Sequence, residues 1–252
     1  MTFDGHVVVV TGGSRGIGRA TAVLFAEQGA TIVVQYRSDD AAAADTGAAL
    51  RSDKHLTIRA DLSDPTQACG LVEQVIAQFG RVDVLVNNAG IYEAHPVLTS
   101  SSEEWRNSWR RTIDTNLIGP ANLIHAVVPH MVRVGGGRIV NVSSRGAFRG
   151  EPDHAAYGAS KAGLNSLGQS MARALARHGI YVTTVAPGFV ETDMAAPYLK
   201  GPAGEAIRAQ SPMNRAATPE EVARVIVFLA SPGSESATGA IVDVNGASYL
   251  RT

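Results

Sequence analysis

An alternation constrains this chain more than any other feature. Short runs rich in Val, Ile and Thr recur at "HVVVVT" (6–11), "TIVVQY" (31–36), "HLTIRA" (55–60), "VDVLVNN" (82–88), "GRIVNVSS" (137–144), "YVTTVAP" (181–187) and "AIVDVNG" (240–246). Between them lie stretches such as "IGRATAVLFAEQGA" and "DPTQACGLVEQVIAQFG", with apolar residues at helical spacing. Strand–helix alternation predicts parallel strands joined by right-handed crossovers, with helices on both faces. The runs are almost continuously aliphatic, as a sheet covered on both sides requires. The expected fold is α/β, a single-domain doubly wound Rossmann-type parallel sheet of about seven strands. "DDAAAAD" (39–45) reads as a solvent-facing helix start. From Pro187 to Pro219 the alternation breaks, with Pro197, Gly201, Pro202, Gly204 and Pro212 inside the segment, so residues 188–218 read as a lid over one end of the sheet.

With 252 residues, 45% of them hydrophobic and 18% charged, the chain suits one globular domain with a large core. A formal net charge of −1 offers no broad basic field, so neither nucleic acid nor an anionic membrane is an expected partner. Cys69 is the single cysteine, which excludes an internal disulfide. The start "MTFDGHVVVV" lacks the pattern of a secretion signal and no stretch reads as a membrane span, so a cytoplasmic setting is expected.

Two local patterns carry chemistry. "TGGSRGIG" (11–18) follows the first strand and leads into a helix. Such a turn lets the backbone approach a pyrophosphate and aims helix N-terminal N–H groups at it, although an ordinary glycine-rich turn has the same look. "DHAAYGASKAGL" (153–164) sets a phenol, Tyr157, and an ammonium, Lys161, one helical turn apart on one face. A tyrosine with an ordinary pKa near 10 is a poor base at neutral pH, and a nearby cation is expected to lower that value.

Taken with "NNAG" (87–90) and "YGASK" (157–161), the glycine turn resembles the short-chain dehydrogenase/reductase family, whose patterns TGxxxGxG, NNAG and YxxxK occur here in order across essentially the whole chain. The resemblance implies that Gly12, Ser14, Arg15, Gly16, Ile17 and Gly18 hold a dinucleotide, while Thr11 braces the turn against the NNAG strand. It places Asp61 and Leu62 by the adenine, and Asn88, Ala89 and Gly90 toward the nicotinamide. Pro187, Gly188, Val190 and Thr192 of "PGFVETDM" then hold the carboxamide. Asp61 also reads as a helix cap, and the two roles can coexist.

The second strand ends with Tyr36 where NAD users of this family often carry Asp, and Arg37 follows. With Arg15 in the glycine loop, two guanidiniums and no carboxylate at the key place favour NADP(H), since guanidinium pairs well with a 2′-phosphate. NAD stays as the alternative, because either arginine also reads as a solvated surface residue and Asp39 and Asp40 are close in sequence.

The resemblance further implies a catalytic set of Asn116, Ser144, Tyr157 and Lys161. Tyr157 transfers the proton, Lys161 also holds the nicotinamide ribose, Ser144 rather than Ser143 binds the substrate oxygen, and Asn116 supports a water-linked proton path. Local rivals exist: Asn116 also reads as stabilising a helix irregularity, and Ser143 as capping a strand end. "NVS" (141–143) matches a glycosylation acceptor but falls in an expected buried strand. A Ser144–His154 hydrolase pair lacks its GxSxG setting.

Family position brings Arg145, Glu151 and His154 near the substrate, with Phe189, Met194 and Tyr198 as apolar contacts from the lid. No metal is required. The expected activity is NADPH-linked interconversion of a ketone and a secondary alcohol, of the 3-oxoacyl-carrier-protein reductase kind. A sugar or polyol dehydrogenase and a non-catalytic dinucleotide sensor are the competing readings. The family commonly forms tetramers, so a homotetramer through the helices around 115–133 and 155–178, with the tail "VDVNGASYLRT" at another interface, is expected.

Overall fold

The computed structural model describes residues 3–50 and 54–251. Its strands are β1 (Val7–Thr11), β2 (Thr31–Tyr36), β3 (Leu56–Arg59), β4 (Val84–Asn87), β5 (Gly137–Val142), β6 (Ile180–Pro187) and β7 (Ile241–Val244). All lie in one parallel sheet of order β3-β2-β1-β4-β5-β6-β7. The helices are α1 (Gly16–Glu27), α2 (Asp40–Ala49), α3 (Pro65–Phe79), α4 (Ser102–Ile113), α5 (Gly119–Arg133), α6 (Gly146–Arg149), α7 (Ala155–Leu175), α8 (Gly201–Arg208) and α9 (Pro219–Ala230). The sheet grows one way from β1 to β3 and the other way from β4 to β7. A crevice therefore opens between the carboxyl ends of β1 and β4, where ligands of doubly wound sheets bind.

The unbroken "VVVV" of β1 shows why the sheet is covered on both sides. Val8 and Val10 pack with Phe25 of α1 and Val222 and Ile226 of α9, whereas Val7 and Val9 face the other way, with Leu71 and Val75 of α3 and Leu123 and Val127 of α5. Two-residue periodicity sends alternate valines to opposite cores. Burying each contributes about 1.5–3 kcal/mol, which fixes the register against a one-residue slip.

Helix starts follow local chemistry. Asp64 accepts from Thr66 N at 2.8 Å before Pro65 opens α3, and Ser101 and Thr218 form capping boxes with Glu104 and Glu221. Asp39 caps α2 through Ala42 N. One region departs from a plain helical reading. Between α4 and α5 the backbone widens into a π turn, Asp114–Ile118, with Asn116 inside it. Among the described residues, no helix is long and apolar enough to cross a membrane.

Candidate active site

A cleft of about 670 Å³ runs along the carboxyl ends of the strands, from Tyr36 and Asp61 on one side to Pro187 and Thr192 on the other. Its floor is the glycine loop. A Cβ on Gly18 would lie 2.2 Å from Gly12 O and 2.6 Å from Asn88 Nδ2, so only glycine lets these segments meet. Gly12 and Gly16 carry φ of +60° and +54°, the left-handed region that glycine tolerates. Thr11 Oγ1 accepts from Asn88 N (2.9 Å) and Ala89 N (3.0 Å) and donates to Val86 O, tying the loop to the end of β4. Gln35, a buried residue of β2, accepts from Gly12 N at 2.9 Å and donates to Ala60 O at 2.7 Å. Unlike α2, α3, α4 and α9, α1 has no side chain capping its first turn. Uncapped N–H donors beside a backbone with no room for a Cβ fit the pyrophosphate of a dinucleotide.

Toward the ribose end, Tyr36, Arg37, Ser38 and Asp39 line the cleft with Arg15. Arg15 is exposed, 3.8 Å from Asp39 and 3.9 Å from Asp193. Asp39 is engaged as the α2 cap, and Asp40 lies 3.9 Å from Arg59. Asp61 lines the cleft, but it is not the helix cap that the sequence also offered: its carboxylate accepts from Ser63 N and Oγ in the turn before α3, and Asp64 caps the helix.

At the other end, Ser144, Tyr157 and Lys161 meet. Lys161 Nζ donates to Val142 O at 2.8 Å, and burial brings its pKa down to about 8. Desolvation pushes the Tyr157 phenol up to about 12, against the lowering effect of its hydrogen bond with Ser144. The lowering expected from Lys161 is not seen in the protein alone: desolvation dominates, and the ammonium sits 5.7 Å from the ring centroid. Ser143 Oγ instead donates to Lys161 O, which commits it to holding α7. Asn116, fully buried in the π turn, accepts from Ile91 N at 2.8 Å and donates to Ile91 O and Ser160 Oγ. A Cβ on Gly90 would come within 3.4 Å of both Asn116 Oδ1 and Lys161 Nζ, so the NNAG backbone passes directly over these groups.

Aromatic residues build the outer wall. Tyr92 stacks on His154 with centroids 3.7 Å apart, meets Tyr157 and Tyr198 edge-on, and hydrogen-bonds Glu151. His154 Nε2 lies 3.0 Å from Tyr198 Oη. Burial pushes the Tyr92 phenol and the Glu151 carboxyl up. Ser14, Ile17, Leu62, Gly188, Val190, Arg145, Phe189 and Met194 also line the cleft. Thr11, Gly18, Asn116 and His154 do not; they lie behind the lining, His154 screened by Tyr92. Gln35, Tyr92 and His95 escaped the sequence reading.

A family model described as Enoyl-(Acyl carrier protein) reductase matches residues 12–247. The chain belongs to the short-chain dehydrogenase/reductase family. Within that family it is 38% identical over 251 residues to the 3-oxoacyl-[acyl-carrier-protein] reductase FabG of Thermotoga maritima, covering 98% of each chain. The protein of the same name from Escherichia coli is 38% identical, over 99% of this chain and all of that one. Its Staphylococcus aureus counterpart is 37% identical, over 96% and 97%. This member of the short-chain dehydrogenase/reductase family is accordingly an oxidoreductase.

Proposed function

We propose that the chain is an NADPH-dependent carbonyl reductase that interconverts a ketone and a secondary alcohol, with substrates of the 3-oxoacyl type. One observation carries this reading: Ser144, Tyr157 and the buried Lys161 together line the far end of the cleft that begins at the glycine loop. Two hydroxyls converging on one point suit an oxygen that gains negative charge. This supports a C=O substrate over the C=C of an enoyl compound. Bound NADPH supplies hydride to the carbonyl carbon. Tyr157 Oη gives its proton to the carbonyl oxygen, and Ser144 Oγ donates a hydrogen bond that strengthens as that oxygen becomes an alkoxide. Lys161 Nζ supplies the positive field for the resulting phenolate, while Asn116 fixes the Ile91 backbone beside it. Arg15 and Arg37 are the residues for the 2′-phosphate. The chain acts as one domain whose 188–218 segment covers the substrate.

Tyr157→Phe is expected to keep fold and cofactor affinity and to lower kcat by about 10³-fold. Near-normal turnover would defeat the role of the phenol. Steady-state rates for 3-oxoacyl thioesters, enoyl thioesters and aldoses, each with NADPH or NADH, test the substrate class; preference for the enoyl or aldose arm would overturn it. A homotetramer is part of the same reading. Exposed Ile118 and Val132 on the π turn and α5 support it, and light scattering reads it directly. A cytoplasmic setting, where NADPH is kept reduced, completes the proposal.

A further inference from the structure

Arg145 is only 3% exposed, yet among the described residues its guanidinium forms no ion pair. Its backbone N–H donates to Pro187 O at 2.8 Å, which fixes the root of the side chain between the ends of β5 and β6. Nη2 donates to the neutral amide Oε1 of Gln210 at 2.7 Å, and the guanidinium lies 5.1 Å from the Phe189 ring centroid. Arg149 reaches the same Gln210 oxygen. Glu151 is the nearby carboxylate, but it is engaged by Tyr92 and burial favours its neutral form. Glu221 and Asp243, across a side cavity of about 210 Å³ that Arg145 also lines, are bound to Arg215 and Arg251. Two guanidiniums thus face one weakened carboxylate. A buried cation without a counter-charge is costly unless a ligand supplies one.

We infer that Arg145 is a substrate-anion site, and that the preferred substrate is an oxo acid whose carboxylate lies within a few carbons of the ketone held by Ser144 and Tyr157. The inference rests on the carbonyl-reductase chemistry proposed above and departs from its thioester substrate class: the guanidinium recognises a free carboxylate that a thioester lacks. Planar guanidinium and carboxylate pair through two hydrogen bonds, and the poorly solvated setting strengthens them.

The test compares 2-, 3- and 4-oxo acids of matched chain length with their methyl esters and N-acetylcysteamine thioesters. For at least one acid, kcat/KM is expected to exceed that of its esters by about 100-fold, mostly through KM. In Arg145→Met this acid-to-ester preference collapses toward unity, and Arg145→Lys restores part of it. Esters reduced as well as every acid by the wild-type protein would overturn the inference, even if the Met variant fails to fold. If no carbonyl compound is reduced, the underlying function fails. The anion site is then read by calorimetric binding of the corresponding hydroxy acids and their esters with NADP present. Tighter binding of an acid, lost in Arg145→Met, sustains the site, and equal binding of acid and ester removes it.

Discussion

Lys161 and Tyr157 share one face of α7, and burial displaces their proton affinities in opposite senses. The ammonium titrates near 8 instead of 10.5, so between those values the folded protein binds fewer protons than the unfolded chain. Stability therefore rises with pH across that window, and the burial cost carried below pH 8 is on the order of 3 kcal/mol. The phenol titrates near 12 instead of 10.0, so its contribution is intact below pH 10 and is lost as pH rises toward 12. Between pH 8 and 10 the lysine dominates. Urea denaturation of wild type and Lys161→Met should show a stability difference that shifts in favour of wild type by about 3 kcal/mol from pH 8 to 10.5. Identical pH dependence in the two proteins would show that the amine is not buried in its charged form. On the proposed mechanism the same displacement favours the protonated phenol, the form that donates.

The helix that carries this pair is held at its N-terminus by a residue from another part of the chain. His95, 2% exposed, accepts from Ala156 N through Nε2 at 3.0 Å, while Nδ1 lies 2.9 Å from Glu93 O, which fixes the neutral tautomer with its proton on Nδ1. His95→Ala should cost about 2 kcal/mol and lower kcat roughly tenfold with little change in cofactor affinity, because Tyr157 loses its fixed position. Unchanged kcat would make His95 a packing residue only. Two glycines make a matched pair. Gly18→Ala collides with Gly12 O and should abolish cofactor binding, whereas a Cβ at Gly70, inside α3, meets nothing within 4 Å, so Gly70→Ala should stabilise by about 0.5–1 kcal/mol. These contrasts explain what the sequence made legible. Strands announced themselves through aliphatic runs buried on both faces, and α1 and α3 through apolar residues at helical spacing. The glycine loop, NNAG strand and YxxxK face were readable because each is local. The π turn was legible only as a helix irregularity that Asn116 could stabilise; that Asn116 does so while bonding to Ile91, twenty-five positions away, lies outside any local window. The Tyr92–His154–Tyr198 wall joins three distant segments, so His154 was expected at the substrate and lies behind Tyr92 instead. The burial of Arg145 likewise depends on Gln210 and Phe189, which no short window contains.

At the scale of the molecule, the cleft crosses the line where the sheet reverses its direction of growth. Its walls draw on β2 and β3 through Tyr36 and Asp61, on β4 through Asn88 to Gly90, and on β6 through Pro187 to Thr192. A dinucleotide spanning it bridges both halves of the sheet, so its binding free energy adds to global stability rather than to one loop. At a free concentration of 100 times Kd, that linkage is worth about 2.7 kcal/mol, which for a chain of this size raises Tm by roughly 5–10 °C. On the proposed reading the 2′-phosphate enters beside Arg15 and Arg37; Arg15 already faces Asp39 and Asp193 at 3.8 and 3.9 Å, so the phosphate would displace weak, solvent-screened attractions. NADPH should therefore shift Tm more than NADH at equal concentration, by a margin that shrinks as salt is raised. Arg37→Asp should close the gap by repelling the phosphate and offering a carboxylate to a free 2′-hydroxyl. Thermal scans of the two proteins with each nucleotide, at low and high salt, measure this. Equal shifts for both nucleotides, unaltered in the variant, would remove the 2′-phosphate site while leaving the pyrophosphate cradle in place, because that cradle is built from backbone N–H groups that neither arginine provides.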